Sequence, residues 1–458
     1  MSTKTAAPGG NKMGTWPIGK LLVNMALPLV ISMLVQALYN VVDSIYVSRI
    51  SESAVTALSL AFPIQNLLIG CATGVGVGVN SLLSKSLGEQ NYERANRTAG
   101  NGFLLSCLFS IGFVIFGLFF ARPFFATQTT VAETLDGGSM YLAIVTIGSI
   151  GIFIEILFER LLQASGNAFQ SMITQATGAI INIVLDPILI FGWFGLPAMG
   201  LAGAALATVI GQWIAACLAM GLNLKHNKEL KDLKRHHAKP DSQVIRSILS
   251  IGVPSIIMVG IGSVMNFGIN QILQGFSETA TGVFGIYFKL QSFFFMPLFG
   301  INNAVISIVA FNYGARNPDR MVKPVKTAAL AGLAIMLTGL AAFQLIPEVL
   351  LSLFDPSAEF LAMAVRALRT ISWCFPVAAV CIILGSTFQA LGTGIYSTIV
   401  SLVRQLVMLL PAAWLLSRTG DVNLVWWAWP IAETAGLSLT LFFFLRNYRQ
   451  RIKPLYND

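Results

Sequence analysis

Residues 21–50, LLVNMALPLVISMLVQALYNVVDSIYVSRI, form an apolar run that is long enough to cross a lipid bilayer as a helix. Asp43 is the one acidic residue in this run. A carboxylate is costly at membrane depth, so an acid inside a spanning segment predicts a functional site, whereas an acid at a helix end would merely be hydrated. We expect the rest of the chain to be organised around Asp43.

The composition of the 458-residue chain is that of a polytopic membrane protein. Apolar residues make up 55% of it and charged residues 11%, and the mean hydropathy is +0.74. Soluble domains average about 45–50% apolar and about 25% charged residues. The five cysteines are scattered through apolar runs, which is typical of core residues and not of a disulfide or zinc framework. A net charge of +9 is explained by basic cytoplasmic loops, so we expect no nucleic-acid partner.

Twelve apolar segments reach spanning length, and they must be helices because an open sheet would leave unpaired backbone groups in lipid. They lie near residues 21–48, 55–82, 99–121, 138–160, 168–192, 199–222, 245–273, 281–308, 326–346, 364–388, 394–416 and 423–445. Lysine and arginine concentrate at both termini, in the loops after the second and eighth spans, and midway along the chain. The positive-inside rule therefore predicts a multi-pass protein of the plasma membrane with both termini in the cytoplasm.

An internal repeat divides the chain into two halves. A shift of 226 residues places Pro28 on Pro254, and it also superimposes Gln65 on Gln291, Gly88 on Gly314 and Gln163 on Gln389. Six spans in each repeat make the repeats parallel, which is a transporter architecture with the substrate site between the halves. The expected domains are a flexible cytoplasmic N-terminus (1–20), an N-lobe (21–224), a basic cytoplasmic linker (225–243), a C-lobe (244–446) and a cytoplasmic tail (447–458).

Polar residues of four N-lobe helices fall at similar depth. They are Asp43 in span 1, Tyr141 in span 4, Asn182 and Asp186 in span 5, and Thr208 in span 6. Two carboxylates in one apolar lobe cannot both ionise without help, so either one keeps a proton or a cation joins them. The interpretation is a coupling-ion site, in which Na⁺ could be held by Asp43, Asn182 and Asp186. The alternative for Asp186 is a local hydrogen bond beside Pro187.

The second half is basic where the first is acidic. Lys289 lies in span 8, Arg404 in span 11 and Glu433 in span 12. Since a buried charge must be paired, we expect Glu433 to neutralise Lys289, Arg404 or both. Both a structural ion pair and a coupling or substrate role remain open for this set.

Two further predictions concern spans 1 and 4. Pro28 removes a backbone hydrogen bond inside span 1, so it predicts a kink that is either static or responsive to protonation of Asp43. Glu155, in span 4, is expected to pair with a neighbouring base such as Arg160.

Several stretches resemble the multidrug and toxic compound extrusion (MATE) family, in its DinF-like or MepA-like branch. They are VVDSIYVSRI (41–50), ALSLAFPIQNLL (57–68), SKSLGEQNYERA (84–95), LLQASGN (161–167) and NIVLDPILIFGWFGLPAMGLAGAALAT (182–208). The resemblance implies two six-helix lobes around a V-shaped cavity. It also implies export of organic, often cationic and amphipathic compounds in exchange for H⁺ or Na⁺. The DinF-like cation site corresponds to Asp43, Asn182 and Asp186, with Tyr141 and Thr208 in support.

The central cavity is expected to combine apolar and hydrogen-bonding side chains from both lobes. Its candidates are Gln36, Asn40, Phe62, Gln65, Asn66, Lys289, Gln291, Phe294, Met296, Asn302, Arg404 and Glu433. We predict a monomeric alternating-access antiporter with small amphipathic substrates, a lipid-bilayer environment, no catalytic residues and no cofactor besides the coupling ion. The alternative is a flippase for a lipid-linked oligosaccharide or another amphipathic lipid; a membrane enzyme is disfavoured because no nucleophile, phosphate or metal motif is present.

Overall fold

Twelve membrane spans make up most of the residues that the structure describes. The structure, a computed structural model, describes residues 11–227, 230, 239–352, 354 and 357–457, which contain no strand. Eleven helices and one bent helix pair are long and apolar enough to cross a membrane. In chain order, spans 1 to 12 are Ile18–Ser48, Glu52–Gly88, Tyr92–Phe119, Ala132–Ile147 with Ile150–Ala164, Ala168–Phe191, Gly200–His226, Ser242–Gln274, Glu278–Gly314, Asp319–Leu345, Ala358–Ala390, Gly394–Ser417 and Val422–Tyr456.

This arrangement confirms the predicted fold class, while the helices run several residues beyond the apolar segments. Three short helices, Lys12–Thr15, Ala121–Ala126 and Pro347–Ser352, lie between or before the spans. Most of the basic linker lies outside the described residues, so nothing is added to its prediction here.

Span 4 differs from the single straight helix that its hydropathy predicts. It is bent by 44° between Ile147 and Ile150. Gly148 packs against the side chain of Val209, where a Cβ would lie 2.6 Å from both methyl carbons. The bend therefore lies at a glycine that makes a close tertiary contact, which an apolar sequence pattern does not reveal.

The backbone repeats the 226-residue symmetry of the sequence. Gln90 (φ 58°) and Arg316 (φ 52°) take the same rare left-handed conformation at equivalent positions, and so do Gly166 and Gly392. This conformation is uncommon for residues other than glycine, so its recurrence at one offset marks two copies of one supersecondary design. Each repeat supplies one six-helix lobe.

Both termini lie at the same end of the helix bundle, which we call the terminal end; the opposite end is the far end. Arg320, at the start of span 9, donates from Nη2 to the carbonyl oxygens of Met13 (3.0 Å) and Trp16 (2.8 Å). The hydroxyl of Tyr456 donates to Asp319 Oδ1 at 3.1 Å. An even number of spans requires this arrangement, and the N-terminal segment thereby contacts the C-lobe.

The two lobes are joined from the terminal end to mid-depth. Ser81 Oγ of span 2 donates to the carbonyl oxygen of Gln389 in span 10 at 2.8 Å. Near mid-depth, Asn66 Nδ2 donates to Ser263 Oγ at 2.8 Å. Among the described residues, no hydrogen bond between the lobes lies farther toward the far end. Hydrogen bonds therefore hold the lobes together at the terminal end and at mid-depth.

Glycines of span 2 make this close contact possible. A Cβ on Gly74 would lie 2.8 Å from the carbonyl oxygen of Gly252 in span 7, and a Cβ on Gly78 would overlap the carbonyl oxygen of Ile248. Small residues let helix backbones approach closely in membranes. The CATGVGVGVN stretch (71–80) thus serves helix packing between the lobes.

Candidate functional site

A cavity of about 730 Å³ lies between the lobes at mid-depth. Its walls include Gln36 of span 1, Asn182 of span 5 and Asn266 of span 7, with Phe295 of span 8 and Arg404 of span 11. Cavities that hold drug-sized ligands are commonly about 300–1,000 Å³ and mostly apolar with a few polar groups. The volume and the mixed lining match that description.

Asp186 and Asn182 form the buried end of the acid site in span 5. Asp186 is 0% exposed, and Asn182, one turn earlier, is 2% exposed. In the amide orientation that satisfies both of its polar atoms, Asn182 donates from Nδ2 to Asp186 Oδ2 (3.0 Å) and accepts from Thr208 Oγ1 (3.1 Å). The i,i+4 spacing places both side chains on one helix face, so the local hydrogen bond that the sequence left open for Asp186 is present.

Asp43 is partly buried in span 1, which packs against span 5. Its charge and that of Asp186 are close enough to interact. One oxygen of each carboxylate, Oδ1 of Asp43 and Oδ1 of Asp186, is buried without a hydrogen-bond partner. An unpaired buried carboxylate oxygen is costly, and a bound proton or cation would satisfy it.

The structure thus brings Asp43, Asn182, Asp186 and Thr208 together. Tyr39, one turn before Asp43, lies beside Thr208, and sequence reasoning missed it. Among the described residues, no group of three or more His, Cys, Asp or Glu side chains could hold a metal ion. A cation at this site would instead be held by two carboxylates with amide and hydroxyl oxygens, which is a donor set that hard cations accept.

Tyr141 lies behind the acids and is 3% exposed. Its hydroxyl accepts a hydrogen bond of 2.7 Å from Gln65 Nε2 of span 2. Tyr141 and Gln65 therefore bond to each other inside the N-lobe, and neither lines the central cavity. Tyr141 and Gln65 thus support the wall behind the acid site.

The predicted cavity residues divide into two sets. Those that line the cavity are Gln36, Gln291, Met296, Asn302 and Arg404. Those that lie outside its lining are Asn40, Phe62, Gln65, Asn66, Lys289, Phe294 and Glu433. Phe294 packs inside the C-lobe against Phe343 and Phe375, with ring centroids 5.8 and 6.5 Å away, while its neighbour Phe295 faces the cavity.

The remaining members of the second set have identifiable places. Asn66 bridges the lobes to Ser263. Phe62 is 61% exposed, and Asn40 and Lys289 are exposed. These residues lie outside the lining of this cavity because a helical residue changes its facing direction by about 100° at each step, and a contact with substrate stays a prediction for them.

Arg404 and Glu433 form an ion pair in the C-lobe. Arg404 Nη1 lies 2.8 Å from Glu433 Oε1. Arg404 sits in a π-helical turn, Val403–Leu409, that precedes Pro411 in span 11. Glu433 was predicted to neutralise Lys289, Arg404 or both. It pairs with Arg404, and Lys289 takes no part in the pair. Such turns often occur at functional sites, and this one directs Arg404 to the cavity.

The predicted ion pair between Glu155 and Arg160 is wrong. Arg160 Nη1 donates instead to Gln163 Oε1 at 2.8 Å. Residues five apart on a helix point about 140° away from each other, whereas residues three or four apart are neighbours. Sequence reasoning also missed Glu159 and Gln163, which line the cavity with Glu155. Their shared i, i+4, i+8 spacing within the apolar stretch was the available signal.

Span 1 runs without a break from Ile18 to Ser48, with Pro28 buried inside it. Whether this segment responds to protonation of Asp43 stays a prediction. Pro254, the repeat equivalent, also lies inside an unbroken helix, and its carbonyl oxygen accepts from Thr398 Oγ1 at 3.0 Å.

Two related six-helix lobes around a cavity are the architecture of a secondary membrane transporter. The model of the MatE family matches residues 28–188 and 254–415, one match in each lobe. The chain belongs to the MatE family, the multidrug and toxic compound extrusion transporters, which are not enzymes.

Known proteins resemble the chain over nearly its whole length. It is 26% identical to the probable multidrug resistance protein YoeA of Bacillus subtilis, over 90% of each chain. It is 24% identical to the multidrug export protein MepA of Staphylococcus aureus, over 94% of this chain and 95% of that one. Among solved structures, a MATE protein in complex with MaL6 superimposes with a TM-score of 0.91 and 25% identity, covering 100% of both chains.

Proposed function

We propose that the protein is a secondary multidrug exporter that exchanges amphipathic organic compounds for H⁺ or Na⁺. The observation that carries this proposal is the acid pair Asp43 and Asp186, each with an unpartnered buried carboxylate oxygen, beside a cavity between two lobes. A cation that binds there changes the charge of the N-lobe. That change in charge alters the packing of span 1, and through span 1 it alters the relative position of the two lobes.

The export cycle follows from the closed terminal end. With the termini in the cytoplasm of the plasma membrane, as the positive-inside rule predicts, we infer that the cavity opens to the outside and that H⁺ or Na⁺ enters from there to the acid pair. Cation binding reshapes span 1 or its packing, and the substrate leaves to the outside. Rocking of the lobes then exposes the cavity to the cytoplasm, where the cation departs and another substrate binds.

The energy available per ion is sufficient for useful export. One proton supplies about 1.4 kcal/mol per pH unit and about 2.3 kcal/mol per 100 mV. A neutral substrate exchanged for one proton can use both contributions. A singly charged cationic substrate cancels the electrical part, so it requires either a larger pH gradient or a second ion.

The acid pair provides the test. Asp43→Asn removes the titrating group while keeping the shape of the side chain, so we expect drug export from cells to fall to the background of cells without the protein, with unchanged expression and monodispersity. Glu359→Gln, an exposed acid in the first turn of span 10, is the matched control and should export normally. Undiminished drug resistance with Asp43→Asn would refute the assignment.

A further inference from the structure

Span 4 carries a second polar cluster into the cavity, on the terminal-end side of the acid pair. Glu155, Glu159, Arg160 and Gln163 all line the cavity. Glu159 is 6% exposed and Arg160 is 7% exposed. The cluster belongs to the helix segment Ile150–Ala164 beyond the bend of span 4, so it is positioned separately from Asp43 and Asp186.

The charges of this cluster do not balance. Two carboxyl groups face one guanidinium, since arginine is always protonated in proteins. Arg160 directs its Nη1 to Gln163, and the charge of Glu159 is the one that compensates it. The other base on the cavity wall, Arg404, is engaged by Glu433. Glu155 is therefore left without a basic partner among the described residues.

Buried polar atoms without hydrogen-bond partners lie in the same part of the cavity wall. Glu159 Oε1 is buried without a hydrogen-bond partner, as is Gln212 Oε1 on span 6, which also lines the cavity. Glu155 Oε1 lies against span 5, 3.4 Å from where a Cβ on Gly178 would be. Acidic groups at membrane depth are rare unless they pair with a charge, so Glu155 needs either a proton or a bound cation to balance it.

The opposite wall suits the body of such a cation. Phe295, Met296 and Phe299 of span 8 face the same cavity, as does Met258 of span 7. Aromatic faces attract cations, and methionine adapts its shape to irregular apolar surfaces. An organic cation with an aromatic body would place its charge at span 4 and its rings against span 8.

We propose that Glu155, supported by Glu159, is the counter-ion for the positive group of an organic cation in the central cavity, separate from the coupling site at Asp43 and Asp186. This inference rests on the proposed export function and assigns the residue that recognises the charge of its substrate. The roles are divided: the far-end acids hold the driving ion, and the span 4 acids hold the substrate.

The test compares a cation and a neutral molecule of the same shape. Tetraphenylphosphonium carries a permanent charge and no titratable proton, and triphenylphosphine oxide has a similar aromatic body without charge. Binding of each is measured by titration calorimetry with the purified full-length protein. Glu155→Gln should weaken tetraphenylphosphonium binding at least tenfold and change triphenylphosphine oxide binding by less than twofold. Glu155→Asp keeps the charge and should retain most of the affinity.

The control is Glu278→Gln, an exposed acid in the first turn of span 8, which should bind both probes as the wild type does. Equal tetraphenylphosphonium affinity in the wild type and Glu155→Gln would overturn the inference. So would an equal loss for both probes, or no tetraphenylphosphonium binding by the wild type. A wild type that binds the cation through Glu155 and yet transports nothing under an ion gradient would instead refute the proposed function alone.

Discussion

The crossing of spans 2 and 8 at the terminal end predicts how the two lobes can be forced apart. A Cβ on Gly88 would overlap the carbonyl oxygen of Phe311 and lie 3.0 Å from the backbone nitrogen of Ala315. The repeat equivalent, Gly314, meets the carbonyl oxygen of Lys85 in the same way. Since both obstacles are backbone atoms, they cannot move aside by changing rotamer.

Gly88→Ala should therefore destabilise the closed terminal end. Inserting a methyl group into a packed contact costs about 1–3 kcal/mol. This cost falls only on the conformation in which the two spans cross, so the ratio of closed to open molecules should fall by about 5- to 150-fold. Single-molecule energy transfer between labels at positions 93 and 323, one in each lobe, would measure that ratio.

Gly112→Ala is the matched control, because no atom lies within 4 Å of a Cβ at Gly112. Its distance distribution should equal that of the wild type. Gly314→Ala should shift the distribution in the same direction as Gly88→Ala. An unchanged distribution in both Gly88→Ala and Gly314→Ala would refute the reasoning that this crossing holds the terminal end closed.

Two further contacts give predictions of their own. Glu433→Leu leaves the partly buried Arg404 guanidinium without its partner, so it should cost up to about 3 kcal/mol, whereas replacing both residues by Leu and Met should cost less. Thermal unfolding in detergent orders the two variants, and the reverse order would contradict a stabilising partner role for Glu433. Arg320→Met removes the charged donor from the carbonyl groups of Met13 and Trp16. Because a hydrogen bond to a charged group is worth about 1.5–3 kcal/mol, proteolytic release of the N-terminal segment should be at least about tenfold faster. Lys323→Met, an exposed charge on the same helix, should leave that rate unchanged. Equal rates in the wild type, Arg320→Met and Lys323→Met would show that Arg320 does not hold the N-terminal segment in place.

The fold was predictable because it depends on features that can be measured directly along the sequence. Length and hydropathy define the spans, and the constant 226-residue offset defines the lobes. The same offset recurs in the backbone at Gln90 and Arg316 and in the glycine crossing of Gly88 and Gly314. The bend at Gly148 was not predictable, because it lies where Gly148 contacts Val209 of another helix, and the sequence does not show such contacts.

Depth along the helices predicted that Asp43, Asn182, Asp186 and Thr208 lie together. It also grouped Tyr141 with them, although Tyr141 bonds to Gln65 behind the acids. The cavity wall requires helix rotation as well as depth. Phe294 turns into the C-lobe, while Phe295 beside it turns to the cavity. Apolar residues on all sides of span 8 hide its orientation, so the sequence could not separate these two neighbours.

The central claim is that binding of an ion to the acid pair drives export. The most direct measurement is efflux of ethidium from proteoliposomes under separately imposed H⁺ and Na⁺ gradients, with the wild type and the Asp43→Asn/Asp186→Asn double variant. The account predicts that one of the two gradients accelerates efflux by the wild type, and that neither gradient affects the double variant. Gradient-driven efflux at the wild-type rate in the double variant would contradict it.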